Sequence, residues 1–185
     1  MRTLMIALLM TLVTQLGVGN ANASDKTLAQ AIEAIDANVI FMRHALAPGF
    51  GDPNNFVLTD CSTQRNLNAE GRAQAEKIGA GILKAGLSFK EIISSEWCRC
   101  MQTAELLDLG NWTIFHGLNS FFQDYADRKT TLELLNNKLS SIDNGLILMV
   151  THQVVISAVT KRVISSGEIV VYNSNNFEAK PFKME

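Results

Sequence analysis

Two histidines and two arginines of this chain sit just after apolar runs. Arg43-His44 ends Val39-Ile40-Phe41-Met42, Arg99 follows Ile92-Ile93 by a few residues, and Thr151-His152 ends Leu146 to Val150. Together they suit phosphoryl transfer. A phosphomonoester dianion needs cations and donors around its oxygens, an in-line nucleophile and a protonated leaving group. Arginine's planar fork grips phosphate oxygens in bidentate fashion. A neutral imidazole can attack phosphorus and split one displacement into two. On this reading His44 is the nucleophile, Arg43 and Arg99 hold the phosphoryl oxygens, and His152 can be cationic and donate to them. Arg65, ahead of the next helix, is a further substrate contact. A carboxylic acid must protonate the leaving oxygen. His116 also follows an apolar run but has no arginine beside it, and reads as structural or rim.

The intervening sequence says how such residues could meet. Apolar runs of four or five residues read as buried strands, and between them lie segments with helical spacing. Helices are expected over Lys26 to Asp36 (capped by Ser24 or Asp25), from Asn68 to about Gly86, from Trp97 to Leu107, over Thr131 to Leu139 and over Val154 to Ile164. Strands are expected at 39–42, 92–93, 112–115, 146–150 and 168–172, with a polar surface tail from Asn173. This alternation predicts a three-layer α/β/α sandwich with a mostly parallel central sheet. The C-terminal ends of parallel strands share one edge, where ligands bind. The stretch from Ala45 to Leu67 is rich in Pro, Gly, Asn and Asp and reads as a long substrate-wall loop.

Residues 1–23 read as a signal peptide: basic Arg2, an apolar stretch from Leu4 to Val18 that is short for a membrane span, and Ala21-Asn22-Ala23 as a small-x-small cleavage site. Residues 24–185 then form a single domain, periplasmic or secreted, with no stable membrane insertion after cleavage. The formal net charge of −2, with no basic run, argues against nucleic acid as a partner. Three cysteines allow one disulfide in an exported protein, from Cys61 to Cys98 or Cys100. No Cys-x2-Cys pair supports a metal site, and no cofactor is called for.

Four stretches resemble the histidine phosphatase superfamily, which includes phosphoglycerate mutase-like enzymes. They are Phe41-Met42-Arg43-His44; Leu67 to Ala75, similar to Leu-x3-Gly-x2-Gln-Ala; Ser94 to Ala104, similar to Ser-Ser-x3-Arg-x3-Thr-Ala; and Met149-Val150-Thr151-His152. The resemblance implies a phosphoglycerate mutase-like fold, a phosphohistidine on His44, a phosphate pocket of Arg43, Arg99 and His152, and no metal in the chemistry. One branch of the family places an acidic Glu after the third strand, and another an Asp directly after the second histidine. Here Gln153 follows His152, and the stretch after the third strand offers Asp124, with Asp127 behind it. The expectation is an exported phosphomonoesterase acting on small phosphate esters. The alternatives are a phosphoryl mutase and a phospho-ligand binding protein with little turnover.

Overall fold

The computed structural model describes residues 27–184. The leader assigned to residues 1–23 lies outside them. The architecture is a six-stranded, mostly parallel sheet between two layers of helices.

Strand β1 (Val39–Arg43) lies at the centre, parallel to β4 (Ile147–Thr151). On the far side of β4 follow β2 (Glu91–Ser94) and the two-residue β3 (Thr113–Ile114), both parallel. On its other side β1 pairs antiparallel with β5 (Ile169–Tyr172), which pairs antiparallel with β6 (Ala179–Phe182). The polar tail therefore contains a strand that its composition hid. Asn173 builds the turn leading into it: its amide donates to the carbonyls of Ile35 and Asp36, and its Oδ1 accepts from the backbone of Asn175 and Asn176. Pro181 is tolerated because β6 is an edge strand.

Alternate residues of each strand face opposite layers. Ile40, Met42, Leu148 and Val150 pack against α1 (Leu28–Glu33), α2 (Ala69–Lys84) and α3 (Cys98–Leu106). Val39, Phe41, Ile147 and Met149 pack against α4 (Arg128–Ser140) and α5 (Gln153–Thr160). Burial of a large apolar side chain contributes about 1.5–3 kcal/mol, so this two-sided burial dominates the stability of the central strands.

Three helix ends differ from expectation for local reasons. Helix α1 is capped by Thr27 in a capping box with Gln30, and the candidates Ser24 and Asp25 lie outside the described residues. Helix α4 begins earlier because the Asp127 carboxylate accepts from Thr130 N at 2.7 Å. Helix α5 ends at Thr160 because Lys161 is left-handed, and Gln153 folds back to accept from Ile164 N at 2.9 Å.

Candidate active site

The C-terminal ends of β1 and β4 meet, with Arg43 in register with Thr151. His44 N donates to Thr151 O at 2.9 Å, so Arg43, His44 and His152 share one edge of the sheet. Strand β2 delivers Ser95 to the same edge, where α3 starts and places Arg99 in its first turn. Within α3, Thr103 Oγ1 accepts from Ala45 N (3.0 Å) and so clamps the backbone beside His44. A cavity of about 210 Å³ opens here. Arg43, His44, Arg65, Arg99 and His152 form its charged floor, and Phe50, Phe122 and Val154 its apolar rim.

The two imidazoles lie with ring centroids 5.5 Å apart. His44 Nδ1 is 2.8 Å from Ala45 O, so that nitrogen carries the proton and donates. Its Nε2 then accepts from Arg99 Nε at 3.2 Å. His152 has the opposite tautomer. The Asn119 amide donates to Glu96, so Asn119 Oδ1 accepts from Ser95 Oγ, and Ser95 Oγ in turn accepts from His152 Nε2 at 2.9 Å. That leaves His152 Nδ1 as the acceptor, 3.5 Å from Arg99 Nη2. Both imidazoles titrate well below the usual histidine range. Burial is the largest cause and the Arg99 charge the next, with Arg65 and Arg43 adding to it. The ligand-free site therefore holds both histidines neutral.

Asp52, from the long loop, sits among the arginines. Its Oδ1 accepts from Arg99 Nη1 (2.8 Å) and Arg65 N (3.0 Å), and its Oδ2 from Arg99 Nη2 (3.1 Å) and Trp97 Nε1 (3.1 Å). Burial acts to raise its pKa, but the bonds from Arg99 and the Arg65 backbone outweigh that and hold it below the usual value. Arg99 Nη1 also donates to Arg65 O (3.3 Å), so all five guanidinium N–H groups of Arg99 have protein partners. Arg43 differs: Nη1 donates to Ile164 O (2.9 Å), while its buried Nε has no partner. Burial and the Arg99 charge push Arg65 down to about 10, which leaves it cationic at neutral pH.

The loop bearing Asp52 is ordered by specific ties. Cys61 and Cys98 form a disulfide, joining it to the start of α3. Cys98 N donates to Gln64 Oε1 at 3.0 Å. Phe56 stacks on Trp97 with centroids 5.3 Å apart, and Tyr125 packs on Phe56 at 4.4 Å. Of the two pairings left open for Cys61, the structure contains the one to Cys98. Cys100 is a buried free thiol, its pKa pushed up to about 12 chiefly by burial.

A family model described as histidine phosphatase superfamily (branch 1) matches residues 39–119. The match spans the Arg43-His44 strand, α2, Arg99 and the cavity-edge segment through Asn119. Over those residues, a little under half of the chain, the sequence is similar to the histidine phosphatase superfamily.

Solved structures share the fold of this chain at low identity. The protein histidine phosphatase SixA complexed with tungstate is 14% identical, covers 78% of this chain and 94% of its own, and superposes with a TM-score of 0.54. Phosphoserine phosphatase in complex with 3-phosphoglyceric acid from Entamoeba histolytica is 15% identical over 78% and 94%, with a TM-score of 0.55. TTHB049 from Thermus thermophilus is 18% identical over 80% and 99%, with a TM-score of 0.54. No curated protein matches the sequence significantly.

Within this superfamily fold, five of the sequence-derived residues (Arg43, His44, Arg65, Arg99 and His152) converge on one cavity. Asp124 does not line it. That residue is exposed, with a positive φ in the 3-10 turn Phe122–Asp124. Asp127 is committed to capping α4. His116 lies outside the cavity, paired with Glu96 (2.6 Å). Sequence reasoning missed Asp52, Ser95 and the Phe50–Phe122 pair. Only Ser95 carried a signal, as the second Ser of the Ser-Ser motif. Among the described residues, no cluster of His, Cys, Asp and Glu could hold a metal ion, and no helix is long and apolar enough to cross a membrane.

Proposed function

We propose that this chain is a metal-independent phosphomonoesterase working through a phosphohistidine on His44. The observation that carries the reading is His44 itself. It is a neutral imidazole lining the cavity among three arginines, with its proton fixed on Nδ1 and its Nε2 lone pair accepting from Arg99 Nε until a phosphoryl group displaces that bond.

The substrate dianion enters between Arg43, Arg65 and Arg99, with the unpartnered Arg43 Nε as a ready donor. His44 Nε2 attacks phosphorus in line, the phosphorus–oxygen bond to the leaving group breaks, and that oxygen keeps the electron pair. The dianion also raises the proton affinity of His152, whose Nδ1 can then donate to a phosphoryl oxygen while Nε2 stays bonded to Ser95. Water attacks the phosphohistidine in the second step, releasing inorganic phosphate and restoring neutral His44.

Export to an oxidising compartment is part of the proposal. It is supported by the leader pattern and by the Cys61–Cys98 bridge. That compartment also favours hydrolysis over a mutase, whose phosphoenzyme must be kept from water.

The test is phosphate release from 4-nitrophenyl phosphate in EDTA, with acid-quench trapping of labelled phosphoprotein. Wild type is expected to turn over and to trap label, and His44→Ala to do neither. Activity retained in His44→Ala would overturn the covalent mechanism. Isomerised product without phosphate release would favour a mutase. Binding without turnover would leave a phospho-ligand binding protein.

A further inference from the structure

From the rim of the cavity we infer that the preferred substrates are aryl phosphate monoesters, whose ring is held by Phe50 and Phe122. The inference rests on the phosphatase reading above and adds the class of leaving group.

Phe50 is 87% exposed, an unusual position for so large an apolar side chain. It meets Phe122 edge to face, with centroids 5.2 Å apart and planes at 86°. The pair joins the two irregular loops above the charged floor, and Asp52 N donates to Gln123 Oε1 beside it (3.3 Å). Val154 lines the rim as well. A flat ring entering here meets two aromatic side chains and the aliphatic Val154, contacts that favour aromatic partners.

The polar side chains of the rim are largely engaged. Gln153 donates to Ser157 Oγ and Arg162 O and accepts from Ile164 N. Ser120 Oγ accepts from Phe122 N at 3.3 Å, which leaves its hydroxyl proton as a single free donor. A polyhydroxylated leaving group would find little free hydrogen-bonding capacity. The cavity, at about 210 Å³, is also smaller than the roughly 300 Å³ at which sites for drug-sized ligands begin. It suits a phosphoryl group with one ring.

The chemistry points the same way. Among the described residues, no Asp or Glu lines the cavity. The nearby Asp52 carboxylate is held as an anion by four donors. A phenolate, with a conjugate acid near pKa 10, departs without the general acid that an alkoxide requires. A site poor in acid and rich in aromatic surface fits an aryl ester on both counts.

The experiment has a binding arm and a turnover arm. Binding of phenylphosphonate and methylphosphonate is measured by calorimetry on the full mature chain. Phenylphosphonate is expected to bind at least tenfold more tightly, and the preference to fall about five- to tenfold in Phe50→Ala/Phe122→Ala. The milder Phe50→Leu is expected to lose part of it. Tungstate affinity of each variant reports whether the charged floor is intact. In turnover, kcat/KM is expected to rank phenyl phosphate above benzyl phosphate above ethyl phosphate, and the double variant to reduce the benzyl-to-ethyl ratio. Equal affinity for the two phosphonates, or a benzyl-to-ethyl ratio unmoved by the variants, would overturn the inference. If His44-dependent hydrolysis persists in that case, only the leaving-group assignment fails. Loss of His44 dependence would remove the phosphatase reading instead.

Discussion

Asp52 is the side chain on which the geometry of Arg99 depends. A bidentate carboxylate fixes the plane of a guanidinium, and hydrogen bonds to charged groups contribute about 1.5–3 kcal/mol each. Asp52→Asn is expected to lower kcat about tenfold or more. KM should not rise, since removing a negative charge from among the arginines favours the incoming dianion. Steady-state kinetics would separate the two effects. Asp124→Asn should leave kcat/KM within about twofold on aryl and alkyl esters alike, because that side chain lies outside the cavity. The buried histidines make a pH prediction. Both have native pKa values well below the unfolded value of about 6.5, so below that pH the unfolded chain binds more protons than the native one. Their neutral burial is therefore fully tolerated above pH 6.5 and costs up to about 1.4 kcal/mol per pH unit for each histidine on acidification. Thermal melts between pH 7.5 and 5 should show Tm falling, with a shallower slope in His152→Asn. Arg43, His44 and His152 were legible in the sequence because they end buried runs, and Arg99 because it lies a few residues beyond one. Asp52 was not, because a carboxylate in a Gly- and Pro-rich loop looks the same whether it faces water or a guanidinium.

At the scale of elements, α2 acts on the site through its glycines. A Cβ on Gly71 would lie 1.9 Å from Leu46 O, and one on Gly79 would lie 2.0 Å from Leu107 O. These close approaches press the helix onto the segment after His44 and onto the end of α3. Each Gly→Ala substitution should destabilise by about 1–3 kcal/mol through overpacking. Gly71→Ala should also reduce kcat, because its neighbour is two residues from His44, whereas Gly79→Ala should act mainly on Tm. The Gly-x2-Gln motif made Gly71 visible in the sequence. The antiparallel placement of β5 and the existence of β6 were not visible, since periodicity reports burial but not strand direction. The sequence pattern starts helix α4 three residues late because Asp127, weighed there as a catalytic acid, is its cap.

For the whole molecule, the Cys61–Cys98 bridge closes a loop with a sequence separation of 37 that contains Arg65, α2 and β2. Chain-entropy reasoning assigns such a loop about 4 kcal/mol. Reduction, or Cys61→Ser/Cys98→Ser, is therefore expected to lower Tm by roughly 8–15 °C. Differential scanning calorimetry with and without reductant would measure it. Phosphatase activity should fall with the same treatment, because the bridge fastens the Asp52 loop to α3. The layered architecture followed from the alternation of buried runs and helical spacing. The order of the strands did not, since a crossover that passes over a neighbour leaves no mark on either.

The full complement of partners on Arg99 has a consequence for turnover. An arriving phosphoryl group does not fill an idle fork. It must exchange with bonds to Asp52 and His44 that the resting protein already enjoys. At Arg99 the net gain from capturing bare phosphate is only the difference between two well-satisfied arrangements. On the proposed phosphatase reading, Arg99 would hold spent product only weakly, and turnover is expected to continue while phosphate accumulates.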